Sequence, residues 1–197
     1  MDIIKYSKLF ITRVEKLISV INKDDPKVLS IAENIIRRLA LWMTYEDIPR
    51  VAQLKIKPDR FVKIKNEINL KNNQILSVQD IFKPGLNEIG AMLPNKLGRW
   101  FIRNKKVTTL LPFVGKGMKI NSSTISGFFI LKILSLFRLI RPISLRYKEE
   151  QNNIEKWINN LILSLDKSIS FSEGLADMPQ ILKGYGDTWD RGIKKYK

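Results

Sequence analysis

The sequence predicts a mainly α-helical fold, a single multi-helix domain over residues 1–197 with a central apolar helix and a small extended or β-ribbon segment. Three observations lead there. Apolar residues recur at three- and four-residue steps through most of the chain, which gives helices one buried face. Proline and short polar residues stand where such helices would begin. Extended backbone is favoured only at Gln74–Phe82 and Val107–Ser123. With 197 residues and 44% apolar content the chain can bury the core of a domain of ordinary size.

Asp2 caps a first helix carrying Ile3, Ile4, Leu9, Phe10, Val14, Leu17, Ile18 and Ile21, expected to end near Asn22. Asp24-Asp25-Pro26 opens a second, whose face is Val28, Ile31, Ile35, Leu39 and Trp42. Thr44-Tyr45-Glu46-Asp47 has the form of a capping box starting a third helix, with Pro49 early enough to be tolerated. Lys57-Pro58-Asp59 starts a short helix through Phe61, Ile64 and Ile68. Gln74–Phe82 fits both helix and strand patterns and is taken as extended. After Pro84-Gly85 come two short helices, Leu86–Met92 and Pro94–Asn104. Val107–Ser123, β-branched and punctuated by Gly115 and Gly117, suits a loop or ribbon. Thr124–Leu139 is a helix with only Lys132, Ser135 and Arg138 as a polar stripe, so neighbours are expected to cover it and Phe129 is expected in the core. Ser144–Leu165 is the longest helix, with Tyr147, Ile154, Trp157, Ile158, Leu161 and Leu165 on its apolar face, and Glu173–Lys183 and Thr188–Tyr196 complete the set.

Composition narrows the chemistry. The chain has no cysteine and no histidine, which excludes disulfides, thiolate metal or iron–sulfur ligation, cysteine nucleophiles, Ser-His-Asp triads and imidazole ligands from its own residues. Its 35 Lys+Arg against 19 Asp+Glu give +16, which calls for an anionic partner without naming one. Single lysines spread along polar helix faces read as a solvated surface rather than a nucleic-acid patch. Basic pairs stand at Lys105-Lys106 and Lys194-Lys195, and Arg99, Arg103, Lys105 and Lys106 are the best candidate for such a patch, with Trp100 and Phe101 either stacking on bases or packing inward. The most apolar stretch, Ile125–Ile140, is interrupted by Lys132 and Arg138 and is too short to span a membrane. Residues 1–20 mix charge with apolar side chains, so a cytoplasmic location is expected.

Lys183-Gly184-Tyr185-Gly186-Asp187-Thr188 lacks the spacing of a phosphate-binding loop and reads as a glycine-ended helix followed by a capped one. Glu46, Asp47, Glu149 and Glu150 stand beside Tyr45, Arg50, Arg146, Tyr147 and Lys148, a setting for buried ion pairs or, in a suitable pocket, for acid–base work.

Taken in order, Thr44–Lys55, Phe82–Gly85, Ser126-Gly127-Phe128, Ser144–Gln151 and Lys183–Thr188 make the chain, from about Val28 to Gly192, similar to the C-terminal helical region of indolepyruvate:ferredoxin oxidoreductase beta-type subunits, within the 2-oxoacid:ferredoxin oxidoreductase family. The resemblance implies a non-catalytic docking or assembly module, or split subunit, of a complex that oxidatively decarboxylates aryl 2-oxo acids to acyl-coenzyme A. In such a complex the thiamine diphosphate, magnesium and iron–sulfur clusters sit in partner subunits, with ferredoxin as a further partner and electron acceptor. It also implies that the family's catalytic portion is separate from these residues and that the chain alone does not turn over. The last block departs from the family pattern at Trp189, where His follows Asp-Thr, so no role of that His passes to this chain. Tyr45, Glu46, Asp47, Arg50, Arg146, Tyr147, Glu149, Glu150, Lys183, Tyr185 and Asp187 are the expected network, converging to brace the fold or to dock. A nucleic-acid-binding helical protein is the alternative, and a membrane-surface protein using Ile125–Ile140, which needs that helix exposed, is a third reading.

Overall fold

The helices begin where proline and capping side chains allow. The computed structural model describes residues 3–21, 24–44, 47–71, 73–104, 106, 116–165, 167–182 and 187–196. Within them lie ten α-helices and one two-stranded sheet: α1 Ile3–Ile18, α2 Pro26–Met43, α3 Ile48–Lys55, α4 Pro58–Glu67, β1 Gln79–Phe82, α5 Leu86–Met92, α6 Asn95–Arg103, β2 Met118–Asn121, α7 Ile125–Leu136, α8 Leu145–Leu165, α9 Ile169–Asp177 and α10 Asp187–Tyr196. Short 3-10 helices follow α7 and α9, at Phe137–Ile143 and Met178–Leu182. The mainly α class with a small β-ribbon is what the sequence led us to expect.

The boundaries show which local signals won. Asp25 caps α2 by accepting from the Lys27 amide, with Pro26 at the first helical position. The capping box at Thr44 does not form. Thr44 instead closes α2, donating its hydroxyl to the Ala40 carbonyl, and Asp47 caps α3 by accepting from the Arg50 amide at 3.0 Å. The reason is Pro49: a helix begun at Tyr45 would place it beyond the first turn, where its missing N–H breaks the ladder. Helix α1 stops at Ile18, four residues short of Asn22, and α9 starts four residues ahead of Glu173 because the Ser168 hydroxyl accepts from the Phe171 amide. The residues 107–115, part of the expected ribbon, lie outside the described residues, as does the Asp2 cap.

The chain divides into two compact units, residues 1–45 with 148–197, and residues 46–147. In the first, Ile31, Ile35, Leu39 and Trp42 of α2 pack with Leu17 of α1 and with Ile154, Trp157, Ile158 and Leu161 of α8, all buried. In the second, β1 pairs antiparallel with β2, Gln79 opposite Asn121 and Phe82 opposite Met118. Ala52, Phe82, Ile120 and Leu131 form its small core.

Helix α7 corrects the expectation of a central, covered helix. It buries Gly127 and Leu131, with Leu134 half-buried beside them, while Ile125 is 80% exposed, Phe129 59% and Leu139, in the 3-10 turn that follows, 65%. Gly127 fixes this pose: a Cβ there would run into the Asn121 carbonyl oxygen at the end of β2, so only glycine lets the helix start so close to the sheet. A helix apolar over most of its circumference, with only a narrow polar stripe, carries little periodic signal for how much of it is covered.

Candidate functional site

The second unit is organised around a buried carboxylate. Asp80 lies on β1 with its side chain 3% exposed, and Arg60 of α4 grips it with two nitrogens, at 2.8 Å to Oδ1 and 3.1 Å to Oδ2. Lys55, at the end of α3, reaches Oδ1 at 2.8 Å. Arg60 also donates to the Lys55 carbonyl and to the Ser122 hydroxyl beyond β2. Burial pushes the Asp80 carboxyl up, but the hydrogen bonds from Lys55, Ser122 and Arg60 and the charge of Arg60 outweigh it and hold the group below the usual carboxylate range. Four elements are tied at one point, and each charge has a partner, so the cluster braces the unit.

The first unit holds its own buried carboxylate, Glu150 on α8, 1% exposed, which accepts from the indole Nε1 of Trp42. Trp42 stacks edge-on against Trp157 and Tyr196, with centroids 5.7 and 5.5 Å apart. Burial, and then the Glu150 charge, push the Tyr196 phenol up to about 12. Nearby, Arg13 is buried and pairs with Glu155 at 2.8 Å. One and two turns before Trp42 on α2, Arg38 and Asn34 donate to Asp177, as does Gln180; these bonds, the Asn34 amide first, hold its carboxyl below the ordinary value against a smaller burial effect.

Of the residues expected to form one network, Tyr45, Glu46, Lys183 and Tyr185, and the side chain of Asp187, lie outside the described residues. Asp47 and Arg50 meet at the start of α3, but through the Arg50 amide. The Asp47 carboxylate faces Arg141 at 3.3 Å, while the Arg50 guanidinium donates to Gln53, which also accepts from Arg138. Arg146 and Tyr147 are half-buried in the first turn of α8, Glu149 is exposed and Glu150 is buried. Sequence reasoning missed Asp80, Arg60 and Ser122, whose signal was a lone acid on a short strand beside basic helices.

The surface carries the charge unevenly. Residues 46–147 hold 19 Lys+Arg against 6 Asp+Glu, a net +13, while the remainder holds 16 against 13, a net +3. Residues 89–148 contain no acidic residue and 12 basic ones, a run legible in the sequence but masked there by the even scatter of lysines. The exposed α7 lies inside this run. Beside it, Phe61, Lys65, Leu76, Ile125, Phe128 and Phe129 line an open groove of about 570 Å³. On α6 the Trp100 side chain is 56% exposed, contrary to inward packing, next to Arg99, which bonds to Asn95.

Among the described residues no group of three or more carboxylates is placed to hold a metal ion, and no helix is long and apolar enough to cross a membrane. Fold and surface thus define a mainly α-helical protein with a strongly basic middle unit. It belongs to the family described as "Family of unknown function (DUF6537)", whose model matches residues 4–197. Neither the curated proteins nor the solved structures gave a match.

Proposed function

We propose that this chain is a non-catalytic docking or assembly module of an indolepyruvate:ferredoxin oxidoreductase-like complex, its basic unit meeting an acidic surface of the catalytic subunits or of ferredoxin. The observation that carries the reading is the partition of charge: +13 on residues 46–147, joined there to an exposed apolar helix. Complementary charge speeds encounter and fixes orientation, and apolar area supplies the affinity. Thiamine diphosphate, magnesium and iron–sulfur clusters belong, on this reading, to the partner subunits, and the complex acts in the cytoplasm. The ordered sequence blocks supply the resemblance to that enzyme family. The test is co-expression with the thiamine-dependent subunit, followed by affinity purification at about 100 mM and again at about 500 mM salt. Association at low salt that weakens at high salt is expected; a chain that sediments alone at both refutes the reading.

One observation favours a second reading. Trp100 is exposed on α6 beside Arg99 and Arg103, an arrangement that suits stacking on single-stranded nucleic acid. Salt-dependent binding of single-stranded RNA that Trp100→Ala abolishes would select it.

A further inference from the structure

Helix α7 presents a face that none of the described residues of its own unit covers. Ile125, Phe128, Phe129, Ile133 and Leu136 are all exposed and repeat at three- and four-residue steps, so they form one stripe along the helix. Lys132 stands inside that stripe, three residues after Phe129 and four before Leu136, and it too is exposed. Among the described residues its backbone carbonyl accepts from the Ser135 hydroxyl, and no hydrogen bond or ion pair holds its ammonium group. The opposite side, Gly127 and Leu131, is the one packed on the unit.

The position of Lys132 discriminates between occupants. A helix lying on a bilayer keeps its cations at the flanks, at the level of the headgroups, whereas a lysine in mid-stripe would be carried to the deepest point of the buried face. A second copy of the chain would bring a unit of net +13 against another of the same sign, with no acid anywhere in residues 89–148 to answer Lys132. A protein segment with apolar anchors and a carboxylate meets both demands: the anchors cover the stripe and enter the groove beside Phe61 and Phe128, and the carboxylate pairs with Lys132 as water is excluded around it.

We propose that the exposed face of α7 is the docking site for an acidic amphipathic helix of a partner protein, with a partner carboxylate paired to Lys132 and apolar side chains seated on Phe129, Ile133 and the adjacent groove. This rests on the docking reading above and adds the face and the chemistry of the partner segment.

The experiment uses the full chain and a synthetic, fluorescently labelled helical peptide of about 18 residues, with leucines at three- and four-residue steps, one central glutamate among them and further glutamates flanking them. Anisotropy titrations at about 150 mM salt compare the wild type with Lys132→Glu, Phe129→Ser and Lys116→Glu, the last lowering the charge of the same unit outside α7. Saturable binding is expected, weakened at least about fivefold by Lys132→Glu and by Phe129→Ser and less than about twofold by Lys116→Glu. A peptide with lysine at its central glutamate should bind Lys132→Glu better than it binds the wild type, and this swap decides the matter even if Phe129→Ser does not fold. Absence of binding, or equal weakening by Lys116→Glu, overturns the proposal. So does binding to phosphatidylserine vesicles in place of the peptide, which makes the face a lipid contact, and so does a dimer dispersed by Phe129→Ser, which makes it a self-contact. Peptide binding without association with the oxidoreductase subunits refutes only the functional reading; association that survives Lys132→Glu and Phe129→Ser refutes only this face.

Discussion

Replacing Asp80 by Asn is the sharpest test of what holds the middle unit together. The substitution keeps shape and removes charge, leaving Lys55 and Arg60, each 2.8 Å from the same oxygen, facing one another without a counter-charge. Removing one partner of a buried ion pair costs about 3–5 kcal/mol. The side chains of Lys55 and Arg60 are 35% and 23% exposed, so water relieves part of their repulsion and the lower end, about 3 kcal/mol, applies. At roughly 2–4 °C per kcal/mol for a chain of this size, the melting temperature should fall by about 6–12 °C, read by circular dichroism at pH 7. The pH dependence supplies an internal check. Because the native carboxyl is held below its ordinary value, its contribution is complete above the unfolded pKa of about 3.9 and is lost as pH falls through the lower native value. The gap between wild type and Asp80→Asn should therefore be full at pH 6–7 and close on acidification below about 4. A change at pH 7 of less than about 0.5 kcal/mol, or a gap undiminished at the acid end, would show that the cluster does not brace the fold.

Three further outcomes follow from the same geometry. Gly127→Ala places a methyl group against the Asn121 carbonyl and should destabilise by about 1–3 kcal/mol in urea unfolding, far more than an alanine placed in the open space at Gly174. Trp42→Phe takes the indole donor from the buried Glu150 and loosens the contacts with Trp157 and Tyr196; the expected loss is about 2–3 kcal/mol by thermal unfolding. Tyr196, with its phenol raised to about 12, lends stability that is complete below the unfolded value of about 10 and lost between there and 12. In that window Tyr196→Phe should lose less stability than the wild type, and absorbance at 295 nm should show one tyrosine ionising late.

The sequence by itself determined which segments are helical and which faces of α2 and α8 are buried. Val28, Ile31, Ile35, Leu39 and Trp42, and Ile154, Trp157, Ile158 and Leu161, are spaced by the helical repeat, and that spacing is a local property of the chain. It also marked both strands as extended, but their pairing, Gln79 against Asn121, joins residues some forty positions apart and belongs to the tertiary structure. Proline decided the start of α3 over the apparent capping box, a rule legible in the sequence once Pro49 is weighed against the helix ladder. Only the tertiary structure decided the rest. A lone Asp or Glu reads the same whether solvated or buried, and the partners of Asp80 and Glu150 stand 20 and 108 residues away. Helix α7 is apolar over most of its circumference, and the narrow stripe with Lys132 and Ser135 says that one side meets water without saying how wide the exposed side is. The close approach of Gly127 to β2 turned Leu131 inward and left Phe129 and Lys132 facing outward.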